Sequence, residues 1–260
     1  MITDYYRPDR IDEALSLLKS AEKKTIPLGG GLFINEVIQE DIAVVDLQNL
    51  GLNQIVNKNK KFQLGASVTL QSLLDVDDLQ SAVIEAVRHQ ETYNRRQVAT
   101  IAGTLVTATG RSPIATAFLA LDAVLDLEAA DQEPQQLPYG DLLPLREEKL
   151  AGKLISRVII PSEAKLAYYY AARSPADLPV VAAAAARWPS GRTRVVIGGT
   201  GDQPLLVVDG QGEDGAAAAA VSAYSDAGDQ WAGAEYRSQT AGALVRRCLE
   251  DVLAQEKRDK

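Results

Sequence analysis

The sequence predicts an α+β fold in which short helices and short strands follow one another without a fixed repeat. Three observations support this prediction. The first fifty residues contain a helical pattern at 11–19, then strand patterns at 23–28 and 42–48 with three glycines between them. Short strand patterns recur from Phe62 to Asp209. Two helical patterns follow them, at 216–227 and 235–255.

Residues 1–55 are predicted to form a small α/β unit. The helix at 11–19 has an apolar face that includes Leu15 and Leu18, and Asp9 is placed to cap its first turn. The strand at 23–28 runs into the glycines, a short helix is expected after them, and the strand at 42–48 is apolar enough to be buried.

The next part of the chain, 56–162, is predicted to form a mixed sheet with helices. Strand patterns lie at 62–66, 123–129, 135–139 and 154–161, and Pro161 ends the last of them. Thr69 is placed to cap a helix, a further helix is expected from Asp77 to about Gln90, and 141–145 is predicted to be a loop or short turn.

A small α+β C-terminal domain is predicted for 163–260. Its strands are expected at 166–172 and 204–209, with a hairpin formed by 177–188 and 192–198. The polar run at 162–165 marks the boundary. The predicted domains are therefore 1–162, with subdomains of about 1–55 and 56–162, and 163–260.

Composition excludes several classes of function. The net charge of −8 argues against a nucleic-acid surface, and no basic cluster offsets it. No run of about 18 apolar residues predicts a membrane span, and the first ten residues lack the apolar run of a signal peptide. We therefore expect a cytoplasmic protein.

The scarcity of cysteine and histidine narrows the chemistry. One cysteine, Cys248, and one histidine, His89, exclude thiolate clusters and His-rich metal sites and argue against a catalytic triad. His89 lies late in a helical pattern, which favours an ordinary helix position. Redox work by this chain would need a bound organic cofactor.

Two stretches of small residues are candidates for a ligand site. In 98–122, Gly103 is followed by the hydroxyls of Thr104 and Thr107, and an apolar helix is predicted at 114–121. Small residues allow close backbone approach and a helix N-terminus favours anions, which suits a phosphate or pyrophosphate. A strand, a loop and a buried helix without a ligand would give the same pattern. The glycine run at 29–31 is open to the same two interpretations, an anion-binding turn or a flexible turn.

Taken together and in order, the two stretches resemble a known pair of motifs. Leu28-Gly29-Gly30-Gly31-Leu32 and Thr100-Ile101-Ala102-Gly103-Thr104, about seventy residues apart, resemble the FAD-binding motifs of the molybdenum hydroxylase flavoproteins. This family includes the medium subunit of aerobic carbon monoxide dehydrogenase and the flavin domain of xanthine dehydrogenase. Further matches lie at 6–8, 65–69, 120–123, 157–161, 168–179 and 235–247, so the resemblance covers nearly the whole chain.

The resemblance implies a fold, a cofactor and a site. The fold is a two-part FAD-binding domain followed by a small α+β C-terminal domain. The cofactor is FAD, bound non-covalently because neither turn has a histidine or cysteine near it, with its pyrophosphate held largely by backbone N–H groups. The implied binding residues are Leu28, Gly29, Gly30, Gly31, Leu32, Thr100, Ile101, Ala102, Gly103, Thr104 and Thr107; no catalytic or metal-binding residue is implied.

Several residues depart from the family pattern. Gly31 and Leu32 replace a polar pair, and Ala102 and Thr104 replace a glycine and an asparagine. Other departures are Pro113 in place of an aspartate near the flavin ribityl and phosphate region, Tyr170 in place of a frequent lysine, and a short segment at 33–41. Backbone contacts can survive these changes, whereas most side-chain contacts cannot.

The function implied is that of an electron-transfer subunit of a molybdenum hydroxylase-type oxidoreductase. Electrons would reach the flavin from an iron–sulfur small subunit and leave to a separate acceptor, while a molybdopterin-binding large subunit oxidises the substrate. The alternative is a flavin-free structural or interaction subunit with the same fold, which the lost polar residues support.

Overall fold

A computed structural model describes residues 1–19, 23–34 and 41–258, and these residues divide into two units. The first unit contains Met1–Asp75, Tyr93–Thr107 and Val124–Ile160. The second contains Val76–Thr92, Ala108–Ala123 and Pro161–Lys260.

The first unit begins with a three-stranded parallel sheet. Its strands are β1 (Ile2–Tyr6), β2 (Thr25–Leu28) and β3 (Ile42–Asp46), in the order β1-β3-β2. The central strand β3 is buried along its whole length, and helix α1 (Ile11–Lys19) packs its apolar face in the same core as Val45. Because both outer strands run parallel to β3, all three carboxyl ends meet at one edge of the sheet.

A five-stranded sheet forms the rest of this unit. Its order is β4-β5-β8-β6-β7, with β4 (Ile55–Lys58), β5 (Lys61–Gly65), β6 (Val124–Ala129), β7 (Gln135–Pro138) and β8 (Lys153–Pro161). The helices of the first unit, besides α1, are all short. They are α2 (Leu70–Leu73), α4 (Tyr93–Arg96), α5 (Ile101–Val106), α7 (Tyr139–Leu142) and α8 (Arg146–Leu150), with 3₁₀ turns at Gln48–Leu50 and Leu143–Leu145.

The second unit is a four-stranded antiparallel sheet between two pairs of helices. Its strands are β9 (Lys165–Ala171), β10 (Val181–Arg187), β11 (Arg192–Gly198) and β12 (Leu205–Gln211), in the order β12-β11-β10-β9. One face packs in a core with α9 (Ala216–Ala223) and α10 (Ala234–Arg258), and the other packs against α3 (Ser81–Gln90) and α6 (Pro113–Ala120). Since both faces are covered, β10 consists largely of buried alanines.

Several sequence predictions are confirmed by these elements. The helix at 11–19 has the predicted bounds, Thr69 caps α2 by accepting a hydrogen bond from the Ser72 N–H, and β10 pairs with β11 as a hairpin. The predicted boundary at 162 lies close to Pro161, where the chain enters the second unit for the last time. Because 76–92 and 108–123 also belong to that unit, the division into linear domains stays a prediction.

Other predictions were wrong in detail. The helix expected from Asp77 begins at Ser81, and of the loop or short turn expected at 141–145 the first part lies in helix α7 and the rest is a 3₁₀ turn. Strands β1 and β4 were not predicted. The helix expected after the glycines and the shortened segment at 33–41 lie largely outside the described residues.

Candidate functional site

The two predicted ligand segments lie side by side in the first unit. We call them the 28–32 turn and the 100–104 segment. A Cβ built on Gly30 would lie 1.5 Å from the backbone oxygen of Val98, and one on Gly29 would lie 2.7 Å from Oγ1 of Thr100. Real Cβ atoms do not approach so closely, so position 30 requires glycine for the segments to meet, whereas a Cβ at position 29 would require the Thr100 side chain to shift.

The 28–32 turn follows strand β2 at the carboxyl edge of the parallel sheet. Leu28 is the last residue of β2 and is in register with Asp46, the last residue of β3. Gly31 has φ of +71°, a left-handed conformation that glycine adopts without strain. Gly30 is exposed and its neighbours in the turn are half-buried, so a ligand can reach the backbone. Ligands commonly bind at the carboxyl edge of parallel strands.

The backbone N–H groups of the turn have no acceptors in the part of the chain that the structure describes. Among residues 1–19, 23–34 and 41–258, none accepts a hydrogen bond from the N–H of Gly29, Gly30, Gly31 or Leu32. A row of N–H groups without acceptors among the described residues suits the oxygens of an anion. The turn can therefore supply the backbone donors that its sequence predicted.

The 100–104 segment is different, and the structure corrects its predicted form. It is the start of helix α5 and not a glycine turn: Thr100 is the N-cap, and its side chain accepts a hydrogen bond from the Gly103 N–H at 3.3 Å. The Ile101 N–H donates to Val68 O at 2.8 Å and the Ala102 N–H to Ala66 O at 3.3 Å. The Thr104 N–H donates to Thr100 O at 2.9 Å. The donors of this segment are thus already used within the fold.

The far end of helix α5 is also fixed. The Tyr139 hydroxyl donates to Leu105 O at 3.0 Å, and Nη1 of Arg146 donates to Val106 O at 3.0 Å. Burial raises the pKa of Tyr139, so its hydroxyl keeps its proton and remains a donor. Thr107, exposed at the end of the helix, donates its hydroxyl to Gly103 O at 2.8 Å. The helix is held at both ends.

One side-chain oxygen in this region has no partner. Thr104 is 1% exposed, and its Oγ1 makes no hydrogen bond with the described residues. A buried hydroxyl without a partner costs stability. Because Oγ1 is out of reach of solvent, it is also out of reach of a ligand in this conformation.

Two charged groups near the 28–32 turn were not predicted as part of a site. Asp46 is buried, 3% exposed, and its carboxylate accepts hydrogen bonds from the Tyr5 hydroxyl and from the Gln48 N–H. The guanidinium carbon of Arg95 lies 5.8 Å from the centre of the Phe33 ring, immediately after the turn. Both depend on contacts between residues far apart in the chain, which local patterns do not reveal.

Pro113 and the residues before it belong to the second unit, so the predicted 98–122 stretch is divided between units. The Gly110 N–H donates to Gly201 O at 2.9 Å, and Ser112 caps helix α6 by accepting from the Ala115 N–H. Pro113 is buried at the first position of that helix, where a missing N–H costs nothing.

His89 occupies a packing position on helix α3. Its ring stacks on Tyr170 with 3.8 Å between ring centres, and its Nε2 lies 2.9 Å from Asp177 O. Burial lowers the pKa of His89, which favours the neutral ring. In the part of the chain that the structure describes, no group of three or more His, Cys, Asp or Glu residues could hold a metal ion.

The family of the chain follows from comparison with known proteins. Residues 1–163 match the family model described as the FAD binding domain in molybdopterin dehydrogenase, and the chain belongs to this family. This match confirms the predicted family, the predicted cofactor, FAD, and the predicted class of oxidoreductase flavoproteins.

Individual relatives agree with the family. The protein YgfM of Escherichia coli strain K12, named as uncharacterized, is 28% identical over 216 residues, covering 80% of this chain and 79% of its own. A xanthine dehydrogenase of Blastobotrys adeninivorans is 26% identical over 157 residues, which are 53% of this chain and 11% of that protein.

A solved structure confirms the fold. A chain of the Cu,Mo-CO dehydrogenase, crystallised in a cyanide-inactivated form, has a TM-score of 0.79 at 23% identity. The match covers 98% of each chain, so the α+β architecture extends over both units. Among the described residues, no helix has the length and apolarity needed to span a bilayer.

Proposed function

We propose that this chain is an FAD-binding electron-transfer subunit of a molybdenum hydroxylase-type complex. The 28–32 turn supports this proposal most directly: four consecutive N–H groups lack acceptors among the described residues, next to a glycine that admits no Cβ. The turn lies within the residues that match the FAD-binding family model.

The residues of the turn fit a pyrophosphate better than any other part of FAD. Leu28, Gly29, Gly30, Gly31 and Leu32 offer no polar side chain, so recognition rests on the backbone. Backbone donors suit phosphoryl oxygens, which accept hydrogen bonds from many directions. Bound FAD would supply the redox chemistry, and this chain would bind and orient it.

The 100–104 segment has a supporting role in this proposal. Its N–H groups donate to the chain itself, so it contributes shape more than hydrogen bonds. Ala102 and Gly103 are half-buried, and because Ala102 carries only a methyl group and Gly103 no side chain, they leave room for a ligand. Thr107 is exposed and can reach a ligand, although its hydroxyl donates to Gly103 O in the present conformation.

We further propose that the chain assembles with an iron–sulfur small subunit and a molybdopterin-binding large subunit. Family membership and the Cu,Mo-CO dehydrogenase fold support this assembly. Electrons would pass from the iron–sulfur subunit to FAD and on to an acceptor. A cytoplasmic location is part of the same proposal.

The cofactor is tested on the purified chain. We expect oxidised flavin bands in its absorption spectrum, or their recovery after titration of the apo-protein with FAD. Because attachment is expected to be non-covalent, acid precipitation should leave the flavin in the supernatant. Yellow colour in the pellet would contradict non-covalent binding, and no binding at high micromolar FAD would contradict the function.

Assembly is tested by co-expression with candidate subunits encoded beside this chain. Co-elution on gel filtration and reduction of the flavin by the substrate of the large subunit would support electron transfer. Separate elution of this chain under all conditions would count against it.

A flavin-free structural subunit is the second candidate, and one observation favours it. The side chains at Leu32 and Thr104 cannot donate to a ligand, the first because it is apolar and the second because its hydroxyl is buried. If the chain joins the complex but binds no FAD in the titration, this alternative is the correct one.

A further inference from the structure

Two arginines contact the ring of Trp231 in the second unit. The guanidinium carbon of Arg111 lies 4.7 Å from the centre of this ring, and that of Arg173 lies 4.2 Å from it. At such distances the attraction between a cation and an aromatic face stabilises the contact. We call these three residues the arginine–tryptophan stack. They come from three distant parts of the chain, so no local sequence pattern predicts the arrangement.

Arg111 is the structural member of the stack. Its Nε donates to Pro179 O at 2.9 Å, and its Nη2 donates to Leu178 O and to Oδ1 of Asp177. Its side chain is only 16% exposed. Arg111 therefore fastens the segment 177–179 to the start of helix α6, and most of it is out of reach of a partner.

Arg173 is held in place but keeps donors unused. Its Nε donates to Oδ2 of Asp177 at 2.7 Å, and its guanidinium lies over the Trp231 ring. Among residues 1–19, 23–34 and 41–258, none accepts a hydrogen bond from its Nη1 or Nη2, and its side chain is 53% exposed. These two nitrogens form the end of a guanidinium that can bind a carboxylate through two parallel hydrogen bonds.

The backbone of Trp231 is itself firmly positioned. The N–H groups of Trp231 and Ala232 donate to Oδ1 of Asp229 at 2.7 and 3.1 Å. Asp229 pairs with Arg237, which is fully buried and also donates to Val180 O. Because the stack is ordered before a partner arrives, binding would cost less conformational entropy.

The stack has excess positive charge on an acidic chain. Its two arginines share one carboxylate, that of Asp177, whereas the whole chain has a net charge of −8. Residues 174–176 are exposed, so Arg173 lies on an open surface. A single arginine there would hold a free anion weakly, whereas tryptophan and arginine are typical of the residues that contribute most to protein–protein binding. The stack therefore fits a protein partner better than a free anion.

We propose that the arginine–tryptophan stack is a docking site at which Arg173 binds an aspartate or glutamate side chain of a partner subunit. This inference rests on the proposed function, because that function supplies the partner. Nη1 and Nη2 of Arg173 donate to the two carboxylate oxygens of the partner. Trp231 and Asp177 hold the guanidinium, and Arg111 fixes the loop that carries Asp177.

The test measures binding of this chain to the candidate iron–sulfur and molybdopterin-binding subunits encoded beside it, each by biolayer interferometry. Arg173→Ala should weaken binding to one of them about ten- to hundredfold, the usual effect of losing charge-assisted hydrogen bonds. Arg173→Lys, which keeps the charge but not the two parallel donors, should still lose about tenfold. Arg247→Ala is the matched control, because Arg247 is exposed in the same unit and lies 4.1 Å from the centre of the Tyr169 ring; it should bind like the wild type.

Trp231→Leu tests whether the ring orients Arg173. It should weaken binding less than Arg173→Ala, because the charge remains while its fixed orientation is lost. Raising the salt concentration should weaken binding of the wild type more than binding of Arg173→Ala. Thermal melts identify any variant that does not fold, and Arg173→Lys then decides.

The outcomes are distinct. A wild-type chain that binds neither subunit overturns the assembly in the proposed function, and this inference with it. A wild type that binds a subunit, with Arg173→Ala or Arg173→Lys within threefold of it, overturns only the docking site. Binding to vesicles of phosphatidylserine and phosphatidylcholine that is lost in Arg173→Ala would assign the stack to a membrane surface and overturn the protein partner.

Discussion

The 28–32 turn and the 100–104 segment both have small residues at their centres but use their backbone N–H groups in opposite ways. In the turn, four successive N–H groups lack acceptors among the described residues. In the segment, the N–H groups of Ile101, Ala102, Gly103 and Thr104 all donate within the chain. The first is available to a ligand and the second is part of the framework.

This difference teaches that small residues alone do not identify an anion site. A glycine permits close backbone approach, but the approaching group can be another part of the same chain. The carbonyls of Ala66 and Val68 occupy the place that a phosphate would take at the start of helix α5. Four variants test how far this division of roles extends.

Gly30→Ala should have the largest effect. Its Cβ would overlap the Val98 carbonyl, so the backbone of one segment must move; overpacking of this kind costs about 3 kcal/mol or more. We expect loss of measurable FAD binding and a lower urea midpoint. Gly210→Ala is the matched control, because a Cβ there meets nothing within 4 Å.

The damage in Gly30→Ala should stay in the first unit. Cys248 is buried in the second unit, and burial raises the pKa of its thiol to about 12. Its labelling by a thiol reagent at pH 8 should therefore remain slow in the variant, as in the wild type. Rapid labelling would mean that the whole chain has opened.

Tyr139→Phe should have the next largest effect, on stability alone. The buried Leu105 carbonyl would lose the hydrogen bond that the Tyr139 hydroxyl donates, at a cost of about 2 kcal/mol. FAD affinity should change less than threefold, because the 28–32 turn is untouched. A large loss of affinity with unchanged stability would show that helix α5 contacts the ligand directly.

Gly103→Ala should be milder than Gly30→Ala. The new Cβ would meet only Oγ1 of Thr100, at 2.9 Å, so the cost is mainly a weakened helix cap, about 1 kcal/mol. Isothermal titration with FAD should show a smaller loss of affinity than in Gly30→Ala. If the two variants lose equal affinity at equal stability, the two segments do not differ as we describe.

Thr104→Val should have the smallest effect and the opposite sign. Replacing an unpartnered buried hydroxyl by a methyl group of the same shape should leave stability unchanged or raise it by about 1 kcal/mol. FAD affinity should stay within twofold. A clear loss of affinity would mean that the hydroxyl turns to reach the ligand when FAD binds.

Local patterns predicted much of the fold. The helix at 11–19 has both an apolar stripe and a proline before it, and the β10–β11 hairpin is short and strongly apolar. Strand β1 was not predicted because it is mostly exposed and because the strand with which it pairs, β3, lies about forty residues later in the chain. Pairings of that range leave no periodic signal in the sequence.

The resemblance implied a ligand site formed by the two segments, and the residues that bind a ligand there stay a prediction. The contact between Gly30 and Val98 shows that the two segments lie together, as the resemblance implied. The sequence predicted that Gly103 belongs to a stretch of small residues that could approach a phosphate, whereas the structure places it in the first turn of helix α5. The partners of the first N–H groups of helix α5 are carbonyls more than thirty residues earlier, so only tertiary structure reveals that these donors are used.

The contact between Gly30 and the Val98 carbonyl also limits what a motif search can reveal about relatives of this chain. That glycine is needed for the polypeptide to fold, whether or not a flavin ever binds. A descendant that had lost its cofactor would still be under selection to keep it, and would still score as a flavoprotein. Gene annotation in this family should therefore give less weight to a glycine of this kind, which the fold requires, than to residues that would contact the cofactor alone.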